Sequence, residues 1–428
     1  MSDKYNISTY NNRKLRILAC PANQGGCAYY RIIMPMQKLA EKYGDKVEVR
    51  MVDNPLGITI TNDEHGKAIK HEHNPDFEFE DMKWADVVFF HNIHQYGPQY
   101  TMSILKKAIE LGKFTHYDTD DLLTDLYDGH RLMGMYKEQK LDELTKSLYY
   151  NSDLVTVTQS KFAERIQPYT RKALAVIRNA IDFELPAWNL PWKPPQRKKQ
   201  TRIGWVGGIH HEEDVKEFKG SMLRVNAKVG KENLEWHFFG RPPLSYTPEG
   251  KPDRDWQQDV WDQYEKSLAF GAKRDRNTFF HTAMGCDTYG AMYTQMDVAI
   301  APLQMNNFND SKSEIKLIEC GRYGIPLIAS DVGCYSDVIK DWVHGYLVDP
   351  KNDPAQWTKV LTRVCKDKQL RKEMGQNLKQ VVDEYYDINK SVGMRYDLYM
   401  EMIKLKEDAL SKALTVEEAK DAEVTSGK

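Results

Sequence analysis

The 428-residue chain has no long apolar run. None of its hydrophobic stretches approaches the ~18 residues that a membrane-spanning helix needs. Its six cysteines are scattered, with no Cys-x-x-Cys pair and no zinc-like spacing. They read as reduced thiols of a cytosolic protein. Neither sign of charge is in excess: 60 Lys and Arg stand against 62 Asp and Glu, for a net charge of −2. Bulk charge therefore signals neither nucleic acid nor membrane, and only a local basic patch remains open. The first residues, Met1 to Arg13, lack the apolar core of a signal peptide, so no leader is expected. There is also no Gly-x-Gly-x-x-Gly after the first strand candidate, which weakens a dinucleotide reading.

What is present is alternation. Hydrophobic residues make up 41% of the chain and aromatics 11%, enough for the cores of two to three domains. Strand candidates at Lys14–Cys20, Val47–Val52, Ala85–Phe90, Lys113–Tyr117, Asp153–Thr158 and Leu174–Ile177 are interleaved with helix-like segments such as Tyr100–Leu111. Ser160 is a plausible cap for the helix after the fifth of them. Repeated β-α alternation predicts a doubly wound parallel sheet. The stretch Pro186 to Arg202 breaks the pattern with four prolines and then Arg197, Lys198 and Lys199, the composition of a linker. A second series follows at Arg202–Val206, Glu235–Phe239, Thr278–His281, Val298–Leu303, Pro326–Ala329 and Tyr346–Val348. Two similar α/β halves joined by a linker leave a cleft between them. Pro354 to Glu384 reads as helical, Ile388 to Lys406 as one further helix, and the polar stretch 407–428 as disordered.

The segment Asp297 to Ser330 is the most informative. The apolar run Val298–Leu303 leads into a polar loop, Phe308-Asn-Asp-Ser-Lys-Ser-Glu-Ile-Lys-Leu-Ile-Glu319, which opens a helix; Gly324 turns the chain into a second apolar run. Strand, loop, helix and strand make a parallel crossover unit, whose ligands sit at strand carboxyl ends facing helix N-termini. Lys312, Lys316 and Glu319, with Ser313 between them, are spaced to line one helix face if the helix starts near Ser311 to Ser313. Two cations and a carboxylate suit a nucleoside diphosphate: lysines on the phosphates, glutamate on ribose hydroxyls. On spacing alone they equally make an ordinary solvated Lys–Glu face.

The motif Glu319-x-x-x-x-Gly324-x-Pro326 resembles the donor-sugar motif of GT-B glycosyltransferases, in particular the large retaining class called family 4. That class carries a further acid eight residues before the glutamate. Here that position is Ser311, with Asp310 one residue out of register. The resemblance covers Leu15 to about Tyr396. It implies an α/β fold of two Rossmann-like doubly wound domains facing a cleft, with the C-terminal helix crossing back to the first. The expected division is 1–185 for an acceptor-binding domain, 186–200 for the linker, 201–384 for a nucleotide-sugar-binding domain and 385–406 for the crossover helix. Ile177-Arg-Asn179-Ala-Ile-Asp182 is similar to the segment that ends the first domain in this family.

Other constellations sit at the ends of strands. Gly25 and Gly26 follow the first strand, with Arg31 behind them; two glycines let a backbone approach a ligand closely, or form a tight turn with no ligand. The resemblance favours the ligand; Arg31 could reach a phosphate or simply pair with a surface acid. Gly207-Gly208-Ile-His-His211-Glu-Glu-Asp214 is similar to a variant of the family's second glycine loop, which would make His211 a donor to phosphate or sugar. His91 and His94 end one strand of the first half, and Asp118, Asp120 and Asp121 end the next. Histidine and carboxylate alone do not fix a metal site, and the resemblance implies none is obligatory. Acceptor binding and proton handling by Asp118, Asp120, His91 and His94 is the expectation, against a helix-capping role for the acidic turn.

The functional expectation is a cytoplasmic, retaining glycosyltransferase that takes a sugar from a nucleoside diphosphate donor, UDP-sugar foremost, to a hydroxyl acceptor. The lysine-bearing loop resembles phage-encoded members that glycosylate hydroxymethylcytosine in DNA. Lys193, Arg197, Lys198, Lys199 and Arg202 would then contact DNA phosphates, and the target cytosine would flip out of the duplex. Transfer to a surface glycan or lipid-linked precursor, and a GT-B-shaped binding protein without activity, are the alternatives.

Overall fold

The computed structural model describes residues 14–62, 68–194, 199–243, 245–246, 252–253, 256–268, 277–351 and 354–426. Its strands, in chain order, are β1 (Leu15–Cys20), β2 (Val47–Met51), β3 (Ile58–Asn62), β4 (Ala68–His73), β5 (Val87–His91), β6 (Phe114–Asp118), β7 (Leu154–Val157), β8 (Ala173–Val176), β9 (Thr201–Val206), β10 (Leu234–Arg241), β11 (Ser245–Tyr246), β12 (Pro252–Asp253), β13 (Thr278–Thr282), β14 (Val298–Ala301), β15 (Leu327–Ser330) and β16 (Gly345–Val348). Six of them form a parallel sheet in the order β2-β1-β5-β6-β7-β8, and six more a second in the order β13-β10-β9-β14-β15-β16. Their central strands are buried from end to end, as β5, β6 and β9 show, because helices cover both faces of a parallel sheet. Helix Pro98–Glu110 illustrates the cover: proline opens it, and Thr101, Ile104, Leu105 and Ala108 form its buried stripe. The fold is the two-lobed α/β arrangement expected.

In each sheet the strand order reverses beside the first strand, between β1 and β5 and between β9 and β14. The crevice at such a reversal opens at the carboxyl ends of the strands. The loops after β1, β6, β9 and β14 thus face one another across the lobes. The chain crosses between lobes twice at one place. Ile181 donates its N–H to the Tyr386 carbonyl and accepts from Ile388, so the two crossings lie side by side.

Several boundaries differ from expectation for physical reasons. β14 stops at Ala301 because Pro302 has no N–H for the ladder. Ser160 is the first helical residue, and the cap is Gln159, whose side chain accepts from the Lys161 N–H. Lys312 and Ser313 precede helix Ile315–Arg322, because a short turn, Asn307–Asp310, capped by Asn306, takes up the residues before them. The antiparallel hairpin β3–β4 had no counterpart in the sequence reading, although Ile58-Thr-Ile-Thr61 carries the alternation of a strand. The last helix runs Ile388–Ser426, so the expected disorder from 407 is replaced by helix through 426. That stretch is polar yet rich in Ala, Glu and Lys and has no internal proline or glycine before 427, which favours helix.

Asp118, at the end of β6, anchors this architecture. It is fully buried and takes a two-pronged bond from Arg31, Nε to Oδ1 at 2.8 Å and an Nη to Oδ2 at 2.7 Å. Arg31 also donates to the Ile177 carbonyl and to Asn179 Oδ1. Arg395 of the crossover helix lies 3.8 Å from the same carboxylate and donates to the Arg31 carbonyl. Burial works against the charge on Asp118, but Arg31 and Arg395 hold its pKa below the usual carboxylate value. Two expectations are corrected here. Arg31 is enclosed and faces Asp118, not a phosphate, and Asp118 is sealed from any acceptor.

Asp118→Ala will leave two buried guanidinium groups without their anion, and loss of one partner of a buried pair costs about 3–5 kcal/mol. Chemical denaturation is expected to show the first lobe unfolding at distinctly lower denaturant. An unchanged midpoint would mean that the network does not hold the lobe together.

Candidate active site

The facing loops enclose a cavity of about 640 Å³. Gln24, Gly25, Gly26, Cys27 and Tyr30 come from the loop after β1, and Asp120 and Asp121 from the turn after β6. Gly207, Gly208, His210 and His211 follow β9, the segment Ala283–Cys286 with Tyr289 follows β13, and Lys312, Ser313, Lys316 and Glu319 follow β14. All the expected donor-side residues except Arg31 are thus brought to one cavity. At Gly26 and Gly208 an added Cβ would meet no protein atom within 4 Å. Packing does not demand glycine there; its absence of side chain keeps the cavity wall open to a close ligand.

Glu319 is nearly buried, at 3% exposure, and accepts from two phenols: Tyr30 Oη on Oε1 at 2.7 Å and Tyr293 Oη on Oε2 at 2.5 Å. Burial pushes its pKa up to about 7, against the opposing pull of Tyr293, Tyr30 and Lys316. Lys316 moves the other way, down to about 8, through burial and the neighbouring Lys312. Lys312 is also lowered by burial, but Asp121, Asp214 and Asp120 outweigh that and raise its pKa overall. Its Nζ lies 3.5 Å from Asp121 Oδ1 and over the Phe308 ring at 4.6 Å.

His211 bonds through Nδ1 to Asp214 Oδ2 at 2.9 Å. Burial, Lys316 and Lys312 depress its pKa to about 3, so the ring is neutral. With Asp214 ionised, Nδ1 carries the proton and Nε2 is an acceptor. This revises the expected role: His211 suits a hydroxyl, and would have to gain a proton before donating to phosphate. Asp214 Oδ1 in turn accepts from the Gln304 N–H and Asn309 Nδ2, each at 2.9 Å, which ties the loop after β9 to the loop after β14.

Of the expected acceptor-side residues Asp118, Asp120, His91 and His94, Asp120 alone lines the cavity. His91 is buried behind it, Nε2 at 3.5 Å from Asp120 Oδ1, and Asn92 donates to the same oxygen at 2.8 Å. Burial opposes the Asp120 charge, yet His91, Cys27 and Asn92 hold its pKa below the usual range. His94 does not reach the cavity. It packs against Tyr96 and Tyr100, accepts from the Tyr96 N–H, and burial lowers its pKa to about 4. Candidate ligand atoms of Cys27, Asp120 and Asp121 lie within 4.8 Å of one another, close enough to share a cation.

Sequence reasoning missed Tyr30 and Tyr293, the tyrosine pair on Glu319, as well as the 283–289 loop; Asp121 it placed in the acidic turn without a role of its own. Tyr30 stands just past the Gly25-Gly26 pair, which was a usable signal; Tyr293 lies in a 3₁₀ turn that no motif marks. It also missed how the lobes are joined. Asp310 lies outside the cavity. Its Oδ1 takes Lys161 Nζ at 2.9 Å and the Gly333 N–H at 3.1 Å, and its Oδ2 takes Arg165 at 2.7 Å. Ser311 is fully buried and donates to the Asn307 carbonyl. Glu314, likewise buried, accepts from Arg178 at 2.6 Å and Tyr386 at 2.9 Å. Phe308 packs within the first lobe's core, its ring 4.8 Å from His130.

Comparison with known proteins agrees with this geometry. Residues 187–381, most of the second lobe, match the family described as Glycosyl transferases group 1. The chain is 32% identical over 266 residues to an uncharacterised glycosyltransferase of Methanocaldococcus jannaschii. That alignment covers 60% of this chain and spans 63% of the relative's length. Among solved structures, sucrose-phosphate synthase from Thermosynechococcus elongatus superposes with a TM-score of 0.63 at 14% identity, over 92% of this chain and 100% of that one. Anabaena HepE in complex with UDP and glucose gives 0.56 at 12% identity, over 90% and 100%. At such identities the likeness is one of fold, the GT-B arrangement of two facing α/β lobes.

Asp310→Ala will remove the partner of both Lys161 and Arg165, a loss of about 1.5–3 kcal/mol for charged hydrogen bonds. Small-angle scattering is expected to show a larger radius of gyration for the variant. An identical profile would show that these bonds do not hold the lobes closed.

Proposed function

We propose that the protein is a glycosyltransferase that takes a sugar from a nucleoside diphosphate donor to a hydroxyl acceptor. One observation carries this reading: Glu319, Lys316 and Lys312 line the interlobe cavity together with two glycine loops in which Gly26 and Gly208 are not demanded by packing. Glu319 would accept from ribose hydroxyls, and the two lysines and the loop N–H groups would hold the diphosphate. Preplaced cations and N–H dipoles stabilise that diphosphate as it leaves, a large catalytic term. Asp120, ionised and backed by His91, would accept a hydrogen bond from the acceptor hydroxyl and hold it in place. UDP is the preferred nucleotide, as in HepE, whose structure holds UDP. A retaining outcome rests on the likeness of Glu319, Gly324 and Pro326 to the retaining class. The lysine pair makes a metal redundant for the diphosphate.

For the acceptor we favour hydroxymethylcytosine in phage DNA, on the resemblance of the Phe308–Glu319 loop. Arg202 is withdrawn from the phosphate contacts, because it pairs with Asp297 at 3.2 Å and stacks over Trp192. Arg197 and Lys198 lie outside the described residues. Lys193 and Lys199 are exposed and take that role.

The test is a transfer assay with a panel of nucleotide sugars against modified DNA, unmodified DNA and glycan acceptors, with and without EDTA. Product on modified DNA alone, undiminished by EDTA, is expected. Product on a glycan would move the acceptor and keep the enzyme class. Neither transfer nor donor hydrolysis with any donor would overturn the reading. Loss in EDTA that manganese or magnesium restores would assign Cys27, Asp120 and Asp121 to a cation.

Binding of UDP should depend on pH with two limbs. Glu319 is a carboxylate above about 7 and Lys316 an ammonium below about 8, so both are charged together best between these values. Calorimetry is expected to find the tightest binding there and weaker binding on either side. Glu319→Gln will abolish the acid limb and weaken UDP by about 1.5–3 kcal/mol. Unchanged affinity in the variant would remove Glu319 from the nucleotide site.

A further inference from the structure

The acid that would touch the donor sugar in the second lobe is missing from the cavity. Asp310 has both oxygens on Lys161, Arg165 and the Gly333 N–H, and Ser311 is buried on the Asn307 carbonyl. Glu314, the next acid along, is buried on Arg178 and Tyr386. The charges that do line the cavity fall in an order: Glu319, Lys316, Lys312, and then Asp121 of the first lobe, 3.5 Å from Lys312. Acid, cation, cation, acid complements hydroxyl, phosphate, phosphate, hydroxyl. A carboxylate is an acceptor-only group and bonds strongly to hydroxyl donors. Asp121 is also the more open of the two first-lobe acids in the cavity, its side chain 31% exposed against 13% for Asp120. Asp120 beside it is already engaged: His91 Nε2 lies 3.5 Å from its Oδ1 and Asn92 donates to the same oxygen at 2.8 Å, which leaves Asp121 the less committed acid at this end.

We propose that Asp121 is the residue that reads the hydroxyls of the donor's sugar ring, in the place of a second-lobe acid. This rests on the glycosyltransferase reading above. It makes recognition of the sugar an act of both lobes: the nucleotide is held by the second, and the sugar is read by the first. The exchange is reciprocal, because Asp310 and Glu314 of the second lobe neutralise first-lobe cations while Asp121 of the first lobe faces a second-lobe lysine. Burial raises the Asp121 pKa, opposed by Lys312 and reinforced by Asp120.

The experiment compares wild type with Asp121→Asn, which keeps the side-chain volume; melting temperatures of the two check the fold. Calorimetry measures UDP, GDP, UDP-glucose, UDP-galactose, UDP-N-acetylglucosamine and GDP-mannose with each protein. The readout is the ratio of each nucleotide sugar's Kd to that of its bare nucleotide. For the donor that wild type binds best, the ratio is expected to rise about tenfold or more in Asp121→Asn, the loss of one charged hydrogen bond. Affinity for the bare nucleotide should not fall. Asp121→Glu is expected to recover part of the ratio and to change the preference between UDP-glucose and UDP-galactose. A ratio unchanged for every donor, or a loss shared equally by bare nucleotide and nucleotide sugar, overturns the assignment of Asp121 and leaves the enzyme class standing. If wild type binds no nucleotide at all, the enzyme class itself falls.

Discussion

The loop between β14 and helix Ile315–Arg322 is fastened to the opposite lobe by carboxylates four residues apart, Asp310 on Lys161 and Arg165 and Glu314 on Arg178. Phe308 is lodged in the first lobe's core just ahead of them. Because these contacts flank Lys312 and Ser313, the loop cannot move without drawing the first lobe with it. The position of Lys312 against Asp121, and that of Ser313, whose hydroxyl accepts from Asn179, follow from this fastening. The cavity is therefore defined by an electrostatic closure between lobes and not by either lobe alone.

A second, fully buried set of charges fixes what the closure acts upon. Arg31, Asp118 and Arg395 join the helix after β1, the end of β6 and the crossover helix in one knot. Buried ions without partners are costly, so the knot admits few alternative arrangements. It aligns the Gly25-Gly26 loop with the turn carrying Asp120. The cavity acid is thus held two residues from a structural one, and neighbouring carboxylates have unlike roles because one is sealed and the other is open.

Much of the fold was legible because parallel sheets write themselves as apolar runs separated by helical stripes. The cavity's second-lobe cluster was legible too, since Lys312, Lys316 and Glu319 are close in the chain and stand behind a recognisable glycine and proline. What could not be read were pairings across great chain distances. Arg31 looked like a phosphate ligand because its partner Asp118 is 87 residues away. Asp310 looked like a displaced sugar ligand, yet it answers to cations about 150 residues upstream. His94 looked like an active-site group because it ends a strand, whereas aromatic packing with Tyr96 and Tyr100 holds it elsewhere. Local pattern reveals which residues are chemically capable; the burial of charge decides which are at liberty.

The paired crossings at Ile181 and Ile388 have a mechanical consequence. Two strands of chain hydrogen-bonded to each other at one edge behave as a door hinge and leave essentially a single rotational freedom between the lobes. Displacement grows with distance from the pin. Contacts next to the pin in the chain, Asn179 to Ser313 and Arg178 to Glu314, sweep the least. The contact of Arg131 with Glu212 is carried by another loop and is not part of the Phe308–Glu314 fastening. Rotation about such a pin displaces the outer cavity wall more than the wall beside Asn179, two residues from Ile181.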